Sequence, residues 1–225
     1  MQKGEIVMIR RCFIFAAAEL YGLYELPRAG DWIIAADAGY LHCLNAGITP
    51  DLLIGDFDSM PDIPFLKSVP HMPEMERVPV EKDDTDTMLA VKNGLSNGCK
   101  EFYIYGGTGG NRPDHTFANV QGLVYLRRHN ARGILYDKCF AWTVIENETL
   151  EIPRTVNDGV LSVFSLGERA TGVSLYGVHY PMDNGELTAE FPLGVSNHMT
   201  EARAIVTVQN GILLVGWELS PPESR

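Results

Sequence analysis

Between residue 5 and about residue 143, short apolar runs alternate with stretches of helical periodicity; beyond residue 144 the helical period stops. This change of pattern constrains the fold more than any other feature of the chain. In the first stretch, a buried first strand within 12–18, then residues 33–36, 52–54, 102–105 and 133–136, read as short apolar strands. Tyr40, Leu41, Leu44 and Asn45 suggest a short helix stopped by Gly47 and Pro50. Met88, Leu89, Val91 and Leu95 predict a helix over 85–96. Phe117, Val120, Leu123, Val124 and Leu126 predict a longer one over 114–129. Such alternation argues for a mostly parallel α/β sheet, in which ligands gather outside the C-terminal strand ends.

The second stretch reads as short strands over 160–164, 173–176, 186–191 and 204–208. Asp183-Asn184-Gly185 and Gln209-Asn210-Gly211 are hairpin signals, because Asn-Gly tolerates positive φ at both central positions. The expectation is an α/β domain over 1–143 and an antiparallel β-sandwich or barrel over 144–225.

Composition narrows the functional classes. Of 225 residues, 45% are hydrophobic and 21% charged, as in ordinary globular proteins. Lys and Arg total 18 against 29 Asp and Glu, a formal net charge of −11. Sequence-independent nucleic-acid binding and attachment to anionic membranes both rest on an excess of cations, so neither is expected. A polyanionic ligand would instead need metal cations or backbone amides. Cys12, Cys43, Cys99 and Cys139 form no Cys-x-x-Cys and read as reduced thiols of a cytoplasmic protein. Arg10-Arg11 followed by an apolar 12–18 faintly resembles a signal peptide, but the run is short and flanked by Glu5 and Glu19. No stretch approaches the length of a membrane span.

Three segments carry chemistry. Asp56 and Asp58, in Gly55-Asp56-Phe57-Asp58-Ser59, follow a buried strand and point to one side of an extended segment. Two like charges on one side suit a cation better than a solvated turn. Glu81-Lys82-Asp83-Asp84-Thr85-Asp86-Thr87 precedes a helix. A cap and a first-turn acid account for one or two of these residues; the remainder can supply oxygen ligands to Mg²⁺. Gly106-Gly107-Thr108-Gly109-Gly110-Asn111-Arg112-Pro113-Asp114-His115 lies between a strand and the longer helix. Its amides and the helix start can receive an anion, and Arg112 can pair with phosphate. It is neither a Walker loop nor Gly-x-Gly-x-x-Gly. Asp37 follows the strand at 33–36. Acids or glycines after three parallel strands point jointly to Mg²⁺-nucleotide chemistry.

In order and spacing, these residues resemble the thiamine pyrophosphokinase family, from Asp37-Ala38-Gly39 through the aspartate and glycine segments. The likeness continues through Ser165-Leu166-Gly167, Thr171-Gly172-Val173, Asp183-Asn184-Gly185 and Val195-Ser196-Asn197. The resemblance implies transfer of the pyrophosphate of ATP to thiamine, with release of AMP, by a homodimer whose thiamine site lies near the interface. It implies that Asp37, Asp56, Asp58 and Asp86 hold Mg²⁺ and its phosphates. Thr85, Gly107, Gly109, Arg112 and Asp114 would position the nucleotide or the reacting group. Ser196 and Asn197 would meet the thiamine pyrimidine, and Tyr180 stands where some relatives carry a tryptophan wall. Lys82 stands where some relatives carry glutamine and receives no role. Asp86 and Asp58 are both candidates to accept the thiamine hydroxyl proton.

Other readings remain open at this point. A phosphohydrolase would use Asp56 as nucleophile and release phosphate. A sensor would bind nucleotide or thiamine without turnover, and a scaffold would use its acidic loops only for caps. The histidines show no paired spacing, and Trp142 and Trp217 read as β-domain core or surface.

Overall fold

The computed structural model describes residues 10–56, 73–79 and 83–222. Five parallel pairings join β1 (Arg11–Phe15), β2 (Trp32–Ala36), β3 (Leu52–Gly55), β4 (Glu74–Arg77), β5 (Glu101–Tyr105) and β6 (Arg132–Tyr136) in the order β6-β5-β1-β2-β3-β4. The parallel sheet expected for the first half is therefore present. Its central strands are buried on both faces, as parallel strands covered by crossovers must be. Cys12 and Ile14 point to one face of β1, Phe13 and Phe15 to the other, and all four are fully buried.

The first face is covered by α2 (Asp86–Ser96) and α3 (Pro113–Arg128), packed on Ile34, Ile54, Phe102, Ile104 and Leu135. The second is covered by α1 (Gly39–Asn45) and by the irregular segment 16–31, which takes the place of a crossover helix. A stack of rings anchors that segment: Phe15 on Tyr105, Tyr105 on Tyr136, Tyr136 on Tyr24. The buried Tyr105 hydroxyl accepts the Glu25 N–H at 2.8 Å and donates to the Glu25 carbonyl at 3.1 Å. A buried hydroxyl left without partners would cost about 1–3 kcal/mol, so this pair of bonds holds the segment on the sheet. Chain order runs outward from β1 through β2, β3 and β4, then reverses to β5 and β6. The reversal places a topological switch point between β1 and β5, where crossovers leave toward opposite faces.

The C-terminal half is a sandwich, but one of its leaves continues the first sheet. β7 (Phe140–Glu146) folds back antiparallel on β6, and β14 (Ile212–Glu218), β9 (Val160–Ser165) and β12 (Asn197–His198) extend the sheet to ten strands. The second leaf is β8 (Thr149–Pro153), β13 (Arg203–Thr207), β10 (Arg169–Tyr176) and β11 (Met182–Thr188). Ile145, Leu161, Val163, Val173, Leu175, Val206, Leu213 and Val215 fill the space between the leaves. Position 143/144 falls inside β7, because the direction of the sheet reverses earlier, at the 137–139 turn closed by Asp137 N–H to the Phe140 carbonyl at 2.8 Å. Arg127 of α3 and Arg132 of β6 both reach Glu148, at 2.6 and 3.0 Å, tying the helical layer to the start of β8.

Three local expectations are corrected. Asp183-Asn184-Gly185 is not a hairpin turn; it lies within β11, where Asn184 has φ 49° at an irregularity in the pairing with β10. Its left-handed residue serves a bulge. Gln209-Asn210-Gly211 does turn the chain, but β13 and β14 belong to different leaves, so the turn is a corner between sheets and not a hairpin. Phe117, expected on the packing face of α3, is 75% exposed; the inward face is Asn119, Gly122, Leu123 and Leu126.

Candidate active site

A cavity of about 470 Å³ opens at the switch point. Three strand ends build it. β1 continues as Ala16–Glu19, β2 ends at Ala36 and runs into Asp37, and β5 leads into Gly106, Gly107, Gly109 and Gly110. Asp86 and Thr87 enter from the start of α2. Arg112, His115 and Asn119 enter from α3.

The floor is mostly main chain, and its tightness explains its small residues. Ala16 N–H donates to the Tyr105 carbonyl at 2.8 Å, and Ala18 N–H to the Gly106 carbonyl at 2.9 Å, so the chain leaving β1 stays paired to the chain leaving β5. Gly106 has φ +63°, and a Cβ there would lie 2.5 Å from the Ala16 carbonyl oxygen and 2.8 Å from that of Ala18. Only glycine satisfies both the conformation and the approach. Beyond it, the Asn119 side-chain amide donates to the Gly107 carbonyl at 2.7 Å from a buried position in α3. Asn119 thus fixes the glycine turn from behind.

The acidic wall is built differently. Asp37 takes φ 49°, and its N–H donates to the Ile54 carbonyl at 2.8 Å. Its carboxylate lies over Gly55, in the volume any Cβ at that position would fill, and Asp56 follows directly. The acidic run before α2 divides its labour. Asp84 accepts both contacts from Lys92 Nζ, at 2.9 and 2.6 Å. The Thr85 hydroxyl caps α2 by accepting the Met88 N–H at 3.1 Å. Asp86, in the first turn, lines the cavity. Asp58 and Lys82 lie outside the described residues. Among the described residues, no group of three or more metal-type side chains is close enough to form a metal site.

At the rim, Arg112 and Asp114 form a bidentate pair, with Nε to Oδ1 at 3.0 Å and Nη2 to Oδ2 at 2.7 Å. The guanidinium holds the Asp114 carboxyl down to about 2. In this pair the Asp114 carboxylate fixes the orientation of the Arg112 guanidinium.

The sandwich carries the other candidate residues. Tyr180 is 66% exposed, with its ring edge-on to His179 at 4.6 Å between centroids. Asn197 is buried, and its side chain grips the Tyr180 main chain at both ends: Oδ1 accepts the Tyr180 N–H at 3.0 Å, and Nδ2 donates to the Tyr180 carbonyl at 2.8 Å. Oδ1 also accepts the His198 N–H at 2.9 Å. The amide oxygen is thereby saturated, leaving Asn197 one N–H for any further contact. Ser196 is exposed at φ +58°, its N–H donating to Ser162 Oγ at 3.2 Å.

Residues 24–135 match the family profile described as "Thiamin pyrophosphokinase, catalytic domain", and residues 147–213 that described as "Thiamin pyrophosphokinase, vitamin B1 binding domain". A curated thiamine pyrophosphokinase of Bacillus subtilis (strain 168) is 30% identical over 182 residues, spanning 81% of this chain and 85% of that protein. The chain belongs to the thiamine pyrophosphokinase family.

The crystal structure of the Bacillus subtilis thiamine pyrophosphokinase superposes with TM-score 0.85 at 27% identity, covering 94% of this chain and all of that one. A thiamin pyrophosphokinase from Candida albicans shares the fold at TM-score 0.75 and 15% identity, covering 94% of this chain and 92% of that one. The family's enzymatic character therefore extends to this chain. The polar cavity residues outside the segments singled out from the sequence are Glu19 and Asn119. For Asn119 a signal existed: it is a polar residue four and seven positions before Leu123 and Leu126, on the buried face of a helix. Glu19 carries no comparable signature.

Proposed function

We propose that this protein transfers the terminal pyrophosphate of ATP to the hydroxyl of thiamine with Mg²⁺, giving thiamine diphosphate and AMP. The observation that carries this reading is the cavity between β1 and β5, which joins an acidic wall (Asp37, Asp86) to a glycine floor and Arg112 in a chain of this family. Backbone amides and a helix start favour phosphate oxygens. Arg112, oriented by Asp114, is suited to the charge that develops on the bridging oxygen as AMP leaves. The hydroxyl oxygen of thiamine bonds to the β-phosphorus, the bond from that phosphorus to the AMP oxygen breaks, and the hydroxyl proton passes to a carboxylate. Asp86 and Asp58 are the candidates for that acceptor.

The carboxylate set Asp37, Asp56, Asp58 and Asp86 offers the hard oxygen ligands that Mg²⁺ takes, and Gly55 leaves the room that the Asp37 carboxylate occupies. Bound there, Mg²⁺ supplies positive charge against the phosphate oxygens. Thr85 contributes by fixing the start of α2, and so the position of Asp86; Gly107 and Gly109 contribute main-chain donors. On the sandwich, Tyr180 offers a ring face for thiamine, whose positive thiazolium suits an aromatic wall. Asn197 holds that segment and Ser196 adds a polar rim. Phe191 and Leu193, 64% and 56% exposed, lie just before Ser196. Such a patch supports a homodimer with the thiamine site near the interface. No described helix is long and apolar enough to cross a membrane, and we assign the enzyme to the cytoplasm.

The test is product analysis with ATP, Mg²⁺ and thiamine. Equal amounts of AMP and thiamine diphosphate, abolished by chelation, are expected. ADP with thiamine monophosphate would replace this reading with simple phosphoryl transfer. Phosphate release independent of thiamine would replace it with hydrolysis, and binding without turnover with a sensor.

A further inference from the structure

Histidine 42 has no place in the reading above, yet it is bonded to the cavity wall. It sits on the short helix α1, half-buried, with Nε2 2.6 Å from the Ala18 carbonyl oxygen. A carbonyl only accepts, so Nε2 carries the proton; neutral and protonated imidazole both make this bond. The same helix begins two residues after Asp37. Its first residue, Gly39, packs so closely on the Phe15 carbonyl that a Cβ would overlap it. The segment 16–19 is therefore held from two sides: through its N–H groups by β5, and through the Ala18 carbonyl by His42.

The second tether has a directional consequence. In a trans peptide the carbonyl and the following N–H point in opposite directions. With the Ala18 carbonyl turned to α1, the Glu19 N–H is turned away from it. Ala17, Ala18 and Glu19 all line the cavity. The bonds of this segment account for the Ala16 and Ala18 N–H groups, while the Ala17 and Glu19 N–H groups have no main-chain acceptor among the described residues.

We propose that His42 is a positioning residue for the nucleotide: by fixing the plane of the Ala18–Glu19 peptide it aims the Glu19 N–H into the cavity as a donor to a phosphate oxygen. The inference rests on the cavity being the nucleotide site.

The test compares His42→Leu with His42→Gln, whose amide N–H reaches a similar distance along the side chain. ATP binding is measured with Mg²⁺ by calorimetry, KM for ATP and thiamine by turnover, and the Glu19 amide resonance by ¹⁵N-edited NMR. Losing the tether is expected to raise Kd and KM for ATP about tenfold in His42→Leu, the size of one lost hydrogen bond, with KM for thiamine unchanged. His42→Gln should return to within about threefold of the parent. In the parent protein the Glu19 amide should shift downfield on saturation with ATP. Equal loss in both variants, or a Glu19 resonance that ATP does not move while it binds, would overturn the inference and leave the nucleotide reading standing. A parent protein that binds no ATP would overturn both, and is distinguished by the first titration alone. Should His42→Leu fail to fold, the His42→Gln variant and the Glu19 shift decide the matter.

Discussion

The two candidate substrate regions are built on opposite plans. Around the switch point the surface is concave, and its working groups are largely main chain: glycine amides, alanine peptides and a helix start, with Asp37, Asp86 and Arg112 at the edges. On the sandwich the surface is open, and what it presents is side chain: Tyr180, Phe191 and Leu193. A main-chain surface is specified by what cannot be there: an added Cβ collides at Gly106 and Gly107, and positive φ disfavours one at Gly109 and Gly110. A side-chain surface is specified by what is there. The first should be sensitive to gain of atoms, the second to their loss.

Four experiments would break or sharpen this contrast. The largest effect is expected where the concave site does use a side chain. Asp86→Asn should lower turnover about 10²- to 10³-fold while thermal melting stays cooperative and near the parent midpoint. A variant unfolded at room temperature would make Asp86 structural instead. Next, Gly106→Ala should cost about 3 kcal/mol or more in denaturant unfolding, since it combines positive φ with a Cβ pressed on two carbonyls. Gly30→Ala, at φ +94° but with nothing within 4 Å, should lose only about 1–2 kcal/mol. Equal losses would mean that conformation, and not crowding, defines the floor. On the sandwich, Tyr180→Ala should raise KM for thiamine about tenfold through loss of the ring face, with KM for ATP and stability unchanged. Tyr180→Trp should keep thiamine affinity, whereas loss in both variants would remove the ring from the site.

The smallest effect concerns acidity. Arg112 holds the Asp114 carboxyl at about 2 by hydrogen bonding and charge. A depressed carboxyl contributes its stability above the unfolded-state value, and loses it as pH falls through the folded one. The Arg112–Asp114 pair should therefore be intact from pH 8 to pH 5 and weaken only between about pH 4 and pH 2. NMR titration of the Asp114 carboxyl checks this, and a midpoint near 4 would dissolve the pair. Any change in rate between pH 5 and pH 8 then belongs to another group.

Much of the concave site was legible in the chain itself. Parallel strands place their ends on one side, so Asp37, Asp56 and the 106–110 glycines could be aligned from strand positions alone, and the cavity joins Asp37 to those glycines. Local signals are sufficient there because each strand, turn and helix start is contiguous. In the sandwich they are not. The Asn-Gly pairs correctly mark left-handed backbone, as Asn184 shows at φ 49°. Yet whether such a residue serves a hairpin, a bulge or a corner depends on which leaf the next strand joins, and that is decided by distant partners. Asn197 is a similar case: the segment Val195-Ser196-Asn197 marked it as part of a site, but its grip on the Tyr180 main chain requires contact across seventeen positions. Helical periodicity also misjudged Phe117, because α3 lies against the sheet through Asn119 and Gly122 as well as its leucines.

The ten-stranded sheet has a consequence for how this protein comes into being. β7 and β9 are neighbours only through β14, which lies between them and is synthesised after both. During translation the parallel strands and their helices can assemble in order, but β7 waits with one edge open until β14 emerges. An open edge is a template for pairing with other chains, and late, long-range pairing is slow. The step most exposed to misassembly is therefore the insertion of a strand that belongs to the sandwich but completes the sheet begun by the parallel half.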